Sequence, residues 1–173
     1  MTRLLRVVAT LAIAVCAMAA PLPKGFDHFY NLEYDDALRE FQSAVAADPN
    51  DPSRHTHVAQ TVLYRELFRA GALESELVSR GNAFLRRPNV NPRPESAKLF
   101  ETHIGKAMEL ANARLREDAN DRNALYALGV AHGLRANYNF LVRKGWMDSL
   151  RDATTGRKAH NRVTELDPKF IDA

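Results

Sequence analysis

Between Tyr34 and Ala47 the apolar residues Tyr34, Ala37, Leu38, Phe41, Ala44 and Val45 recur at steps of three and four. This places them on one face of a helix, with Asp35, Arg39, Glu40 and Gln42 on the other. Pro49 predicts the stop, because the residue before a proline is pushed out of the α region and proline has no amide hydrogen for the ladder. Asp51-Pro52 predicts an immediate restart, with aspartate as N-cap and proline in the first helical position. Farther on, Pro94 opens a long helix with Ala97, Phe100, Ile104, Ala107 and Ala111 facing inward. Leu67–Arg87 also reads as helical, and the stretch from Pro88 to Pro94, PNVNPRP, reads as a loop. Alternating strand-like runs are absent, so the chain is expected to be all-α.

The turn pattern repeats. Asp48-Pro49-Asn50-Asp51 returns as Asp118-Ala119-Asn120-Asp121 and in part as Asp167-Pro168. Tyr34, Ala37, Phe41, Ala44 and Pro49 then carry a resemblance to the second helix of a tetratricopeptide repeat, and Gly25 stands where that family keeps a small residue in its first helix. Leu125, Leu128 and Gly129 fall at the first-helix offsets, and Ala107 and Ala111 fit a second helix, although Arg114 stands where a small residue is expected. Gly156, His160 and Val163 fit the last unit poorly, whereas Pro168 suits its turn. Gly129 and Pro168 lie 39 residues apart where the family has 24, an insertion of about 15.

The resemblance implies a right-handed superhelical stack of antiparallel helix pairs, an α-solenoid with units at about 22–49, 52–119 and 121–168. The middle unit is expanded and the last carries the insertion. A plain helical bundle accounts for the same periodicity and stays open. Lys169-Phe170-Ile171-Asp172-Ala173 reads as the first turn of a further helix, which predicts an open end that a continuing chain or a second copy would cover.

In this family the first helices line a concave groove for extended peptides or helices. The matching positions here are Ser53, Thr56 and Gln60 in one helix and Asn123, Tyr126 and Val130 in the next. Thr56, Gln60, Tyr126 and Val130 replace the Lys and Asn of the subtype that clamps a terminal carboxylate, so that subtype is not expected. The implied function is non-catalytic: a scaffold for an unidentified protein partner.

Composition changes this picture in one place. The chain has 173 residues, 46% of them hydrophobic and 26% charged, enough for one domain with a core. Residues 1–19 differ: Arg3 and Arg6 precede an apolar run from Val7 to Val15, and Ala17-Met18-Ala19 offers a small-x-small cleavage site. This pattern resembles a secretory signal peptide and predicts export to a bacterial periplasm or envelope. Loss of Arg3 and Arg6 takes the basic residues from 24 to 22 against 21 acids, and the net charge from +3 to +1. No global charge then argues for nucleic acid. Cys16, the one cysteine, lies in the leader, and Val15 before it argues against a lipoprotein site.

Candidate chemistry is thin. His55 and His57 are two apart and diverge on a helix; His28, His103, His132 and His160 are scattered, with His28 and His132 at positions where the family packs an aromatic. Neither HExxH nor GxSxG occurs, and no metal, cofactor or catalytic set is expected. From Arg135 to Arg162 seven basic residues face Asp148 and Asp152, with Tyr138, Phe140 and Trp146 interleaved. Arg143, Lys144 and Trp146 are candidates for contact with a membrane or cell-wall polymer, the alternative reading being that the aromatics pack an inserted loop onto the stack.

Overall fold

The computed structural model describes residues 24–73 and 90–170, and within them six helices and no strand. The leader at 1–19 with Cys16, the part of Leu67–Arg87 beyond Leu73, and Ile171–Ala173 lie outside the described residues. In order the helices are α1 (Lys24–Tyr30), α2 (Tyr34–Ala47), α3 (Pro52–Arg69), α4 (Pro94–Glu117), α5 (Arg122–Leu141) and α6 (Trp146–Leu166). Each packs on its neighbour in the chain, except that α3 and α4 meet across residues 74–89; α3 also packs on α5. Ring contacts of Phe26 with His57 and of Phe29 with Tyr64 tie α1 to α3.

The starts and stops follow the local chemistry. Asp51 caps α3 by accepting the Ser53 amide at 2.8 Å, and Asp121 caps α5 by accepting that of Ala124 at 3.0 Å. Pro52 and Pro94 each open a helix. Of the described part of Leu67–Arg87, Leu67–Arg69 are helical and the chain turns at Ala70–Leu73. There Gly71 enters the left-handed region at φ 64°, its amide donates to the Phe68 carbonyl and the Ala72 amide to that of Leu67. This pair of bonds closes the helix, and glycine adopts that φ without steric cost.

The core runs through α1 to α5. Phe41, Val58, Val62, Phe100, Ile104 and Ala107 are buried in it, and Phe100 stacks on Tyr138 at 4.2 Å. Ala37 and Ala107 are 0% exposed, so the small residues lie between helices as expected. Ala111, Gly129, Leu125 and Tyr34 are buried too, Ala44 and Leu128 half-buried, and Pro49 and Pro168 sit exposed in turns.

The last unit is packed although Gly156, His160 and Val163 fit the expected repeat poorly by residue type: Gly156 and Val163 are buried and the half-buried His160 ring meets Gly129. A Cβ on Gly129 would lie 2.6 Å from the His160 ring, as one on Gly25 would from the Phe41 ring. Counting back from the turn prolines, His160 stands at the Phe41 offset, Gly156 at that of Ala37 and Val163 at that of Ala44. An imidazole thus takes the aromatic slot. The inserted loop expected between Gly129 and Pro168 is replaced by helix. The added residues lengthen the hairpin: α6 has 21 residues where α2 has 14, and only Val142–Gly145 separates α5 from α6. Extending two paired helices keeps every backbone group hydrogen-bonded, which a loop of that length would not.

Candidate functional site

Steps of three and four put Ser53, Thr56 and Gln60 on one face of α3, and Asn123, Tyr126 and Val130 on one face of α5. Because α3 packs on α5, the two faces meet. Ser53, Thr56, Gln60, Tyr126 and Val130, with Phe26, Tyr30 and His57, line a cavity of about 370 Å³. Asn123 lines a second, of about 380 Å³, with Asp48, Asn50, Asp51 and Arg114. Ser53 and Tyr126 are walls of both. All six positions assigned from sequence therefore border one of two adjoining recesses.

The recesses differ in chemistry. The first is aromatic: Phe26 meets His57 at 4.9 Å and Phe41 at 5.0 Å. Burial is the main cause that pulls the His57 pKa down, so its ring is neutral at physiological pH. Thr56 offers less than a groove position would, because it is buried and its hydroxyl donates to the Ser53 carbonyl at 2.7 Å. Tyr126 stands between His160 and Phe170, 5.5 and 5.4 Å from their rings.

The second recess is polar and its charges are matched internally. Arg54 donates to Asp51 at 3.3 Å and to the Ala44 carbonyl at 2.7 Å, and Arg114 donates to Asp121 at 2.8 Å. Burial raises the Asp121 pKa, but the Ala124 amide and Arg114 outweigh it and hold the carboxyl below its ordinary range.

The histidines behave as spacers and core polar groups. His55 and His57 do diverge: His57 faces Phe26 and Phe41, whereas His55 Nε2 donates to the Pro49 carbonyl at 3.0 Å and its Nδ1 lies 2.9 Å from His103 Nδ1. A carbonyl only accepts, so His55 is the donor at Nε2, and with that tautomer its Nδ1 accepts the hydrogen bond that His103 Nδ1–H donates. His28 pairs with Glu33 at 2.6 Å near the surface, whereas His132 lies between α5 and α6, beside Gly156 and 2.9 Å from Asp152. His28, Glu33 and Asp36 form the one trio of metal-type donors among the described residues, and there His28 is engaged by Glu33 and Asp36 by Arg39.

Two buried carboxylates escaped the sequence reading. Glu66, 2% exposed, accepts from Arg69, Ser96 and the backbone and side chain of Arg93, joining α3 to the start of α4. Burial opposes its ionisation, yet the bonds from Ser96, Arg93 and Arg69 prevail and hold its pKa to about 2. Asp152 accepts from His132, Arg135 and Asn139 at 2.6 to 3.1 Å and locks α6 to α5. A faint signal existed, since Glu66 follows Ala59, Val62 and Leu63 on the inward stripe of α3, and Asp152 precedes Gly156, Ala159 and Val163 on that of α6.

The proposed surface trio is only partly available. Arg143 donates to Glu101 at 2.7 Å and lies over the Tyr138 ring, Lys144 holds the turn at φ 54°, and Trp146 is exposed while meeting Phe140 edge-on at 5.0 Å. No helix of the described residues is long and apolar enough to cross a membrane. No family model, no curated protein and no solved structure matches the chain.

Proposed function

We propose that the chain is a protein-interaction module whose helix pairs stack as tetratricopeptide repeats do, in a right-handed superhelix. The groove walled by α1, α3 and α5 holds an extended peptide or a helix from a partner protein. One observation carries this reading: groove positions assigned from two stretches of sequence 70 residues apart line two recesses with Ser53 and Tyr126 in common. The aromatic recess suits an apolar side chain of the ligand, and the polar recess suits its backbone amides and carbonyls. Arg114 is already paired with Asp121, so the groove favours an internal segment over a terminal carboxylate. The module acts without catalysis, and the leader-like residues 1–19 support an exported, periplasmic setting.

The test is selection of binding peptides from a random display library, followed by affinity measurement on variants. Tyr126→Ala and Val130→Arg are expected to weaken selected peptides about tenfold or more, the loss typical of an interface anchor. Unchanged affinity in both variants, with folding intact by circular dichroism, removes the groove reading.

A further inference from the structure

We propose that the outward face of α6 docks on an anionic lipid membrane, independently of the groove. Among the described helices α6 packs along its length on α5 and has no other large neighbour. Asp152, Gly156, Ala159 and Val163 form its buried face. At 3.6 residues per turn the opposite side carries Trp146, Met147, Leu150, Arg151, Arg157 and Lys158 within an arc of about 140°. All six are exposed, and the three apolar side chains stand 58%, 72% and 63% open to solvent. Glu165, in the last turn, is the carboxylate in this arc and is paired with Arg162 at 2.9 Å; Asp148 lies beside the arc, 3.6 Å from Arg151.

Folding does not explain those three side chains. The hairpin is already closed by the Asp152 cluster, by Ser149 donating to the Ala136 carbonyl at 2.9 Å, and by Gly156, whose missing Cβ would lie 3.0 Å from the Gly129 carbonyl oxygen. Phe140 meets the Trp146 ring edge-on at 5.0 Å, and more than half of the Trp146 surface stays exposed. Large apolar residues at one end of a helix face and cations along the rest suit insertion into the acyl boundary beside anionic headgroups. Arg151 borders a recess of about 240 Å³ in which Glu101 and Asp152 already pair with Arg143 and Arg135, whereas Arg157 and Lys158 carry the positive charge on along the helix, which fits a plane of headgroups better than one acidic side chain.

Trp146 is the only tryptophan, so its fluorescence reports on this site alone. With the full chain, vesicles containing phosphatidylglycerol are expected to shift its emission to the blue and brominated acyl chains to quench it, whereas phosphatidylcholine vesicles alone leave it unchanged. Arg151→Glu with Arg157→Glu and Lys158→Glu is expected to lower the vesicle affinity at least tenfold, and Met147→Ser with Leu150→Ser to abolish quenching, with circular dichroism unchanged in both. Emission that ignores anionic vesicles overturns the proposal. So does a shift that survives charge reversal, since the cations of this face would then not carry the binding.

Discussion

A Cβ built on Gly129 would stand 2.6 Å from Nε2 of His160, well inside van der Waals contact. The two helices of the last hairpin therefore approach through a notch that only glycine leaves open, and the imidazole fills it. The same overlap joins Gly25 to the Phe41 ring in the first hairpin.

Glycine in a helix interior ordinarily costs about 1 kcal/mol relative to alanine. At Gly129 the sign reverses: Gly129→Ala forces His160 or the backbone aside and is expected to destabilise by about 1–3 kcal/mol. Gly105, with nothing within 4 Å of its Cβ position, is the control, and Gly105→Ala is expected to stabilise by about 0.5–1 kcal/mol. Urea denaturation of the two variants decides; equal and stabilising shifts would remove the notch.

Glu66→Gln takes the charge from a carboxylate that gathers Arg69, Arg93 and Ser96. The variant loses the charge-assisted character of these bonds while Arg69 and Arg93 stay solvated, a loss of about 2–3 kcal/mol that should appear in thermal or urea denaturation at pH 7. The pH dependence has a definite sign. The folded pKa of about 2 lies below the unfolded value of 4.5, so the contribution is complete above pH 4.5 and lost as pH falls toward 2. It amounts to roughly 3 kcal/mol at neutral pH, and the Gln variant should lose that acid sensitivity.

His103 works in a higher window. Burial first, and then neighbouring His55, lower its pKa from 6.5 to about 4. The unfolded chain then takes up the proton more readily, so stability present above pH 6.5 declines as pH falls toward 4. His103→Gln is expected to flatten the stability curve in that window. Midpoints of urea denaturation at pH 7, 5.5 and 4.5 measure the slope, and a variant as steep as wild type would count against the assignment.

Leu32 stands at φ 64° in the turn after α1, where its amide donates to the Phe29 carbonyl and that of Glu33 to His28. This is the bond pair that Gly71 makes after α3, but with a side chain in the left-handed region at a cost of about 1–2 kcal/mol. Leu32→Gly is expected to stabilise by about 1 kcal/mol and Gly71→Ala to destabilise by a similar amount, both read from thermal denaturation.

Much of the fold and the candidate site was legible before any coordinates. Pro49, Asp51, Pro94 and Asp121 mark helix ends because capping and the missing proline amide act within a few residues. Ala37, Phe41 and Ala107 read as packing positions because helical periodicity is local. The six positions that the family resemblance implied lie along α3 and α5 and border two recesses, while their use as a groove is part of the proposal.

Other features depended on residues distant in the chain. The additional stretch of the last unit reads the same whether it bulges as a loop or extends two helices; the partner face supplied by Ala136, Asn139 and Asp152 decided for helices. Whether Glu66 and Asp152 face solvent or the interior could not be read from residue type, because a buried charge is tolerated only where partners converge on it, and Arg93 and Ser96 come from another helix start. His160 in place of an aromatic is the same lesson in packing. Local sequence determined where helices begin, end and turn their apolar sides, whereas the match of shapes and charges between helices existed only once they met.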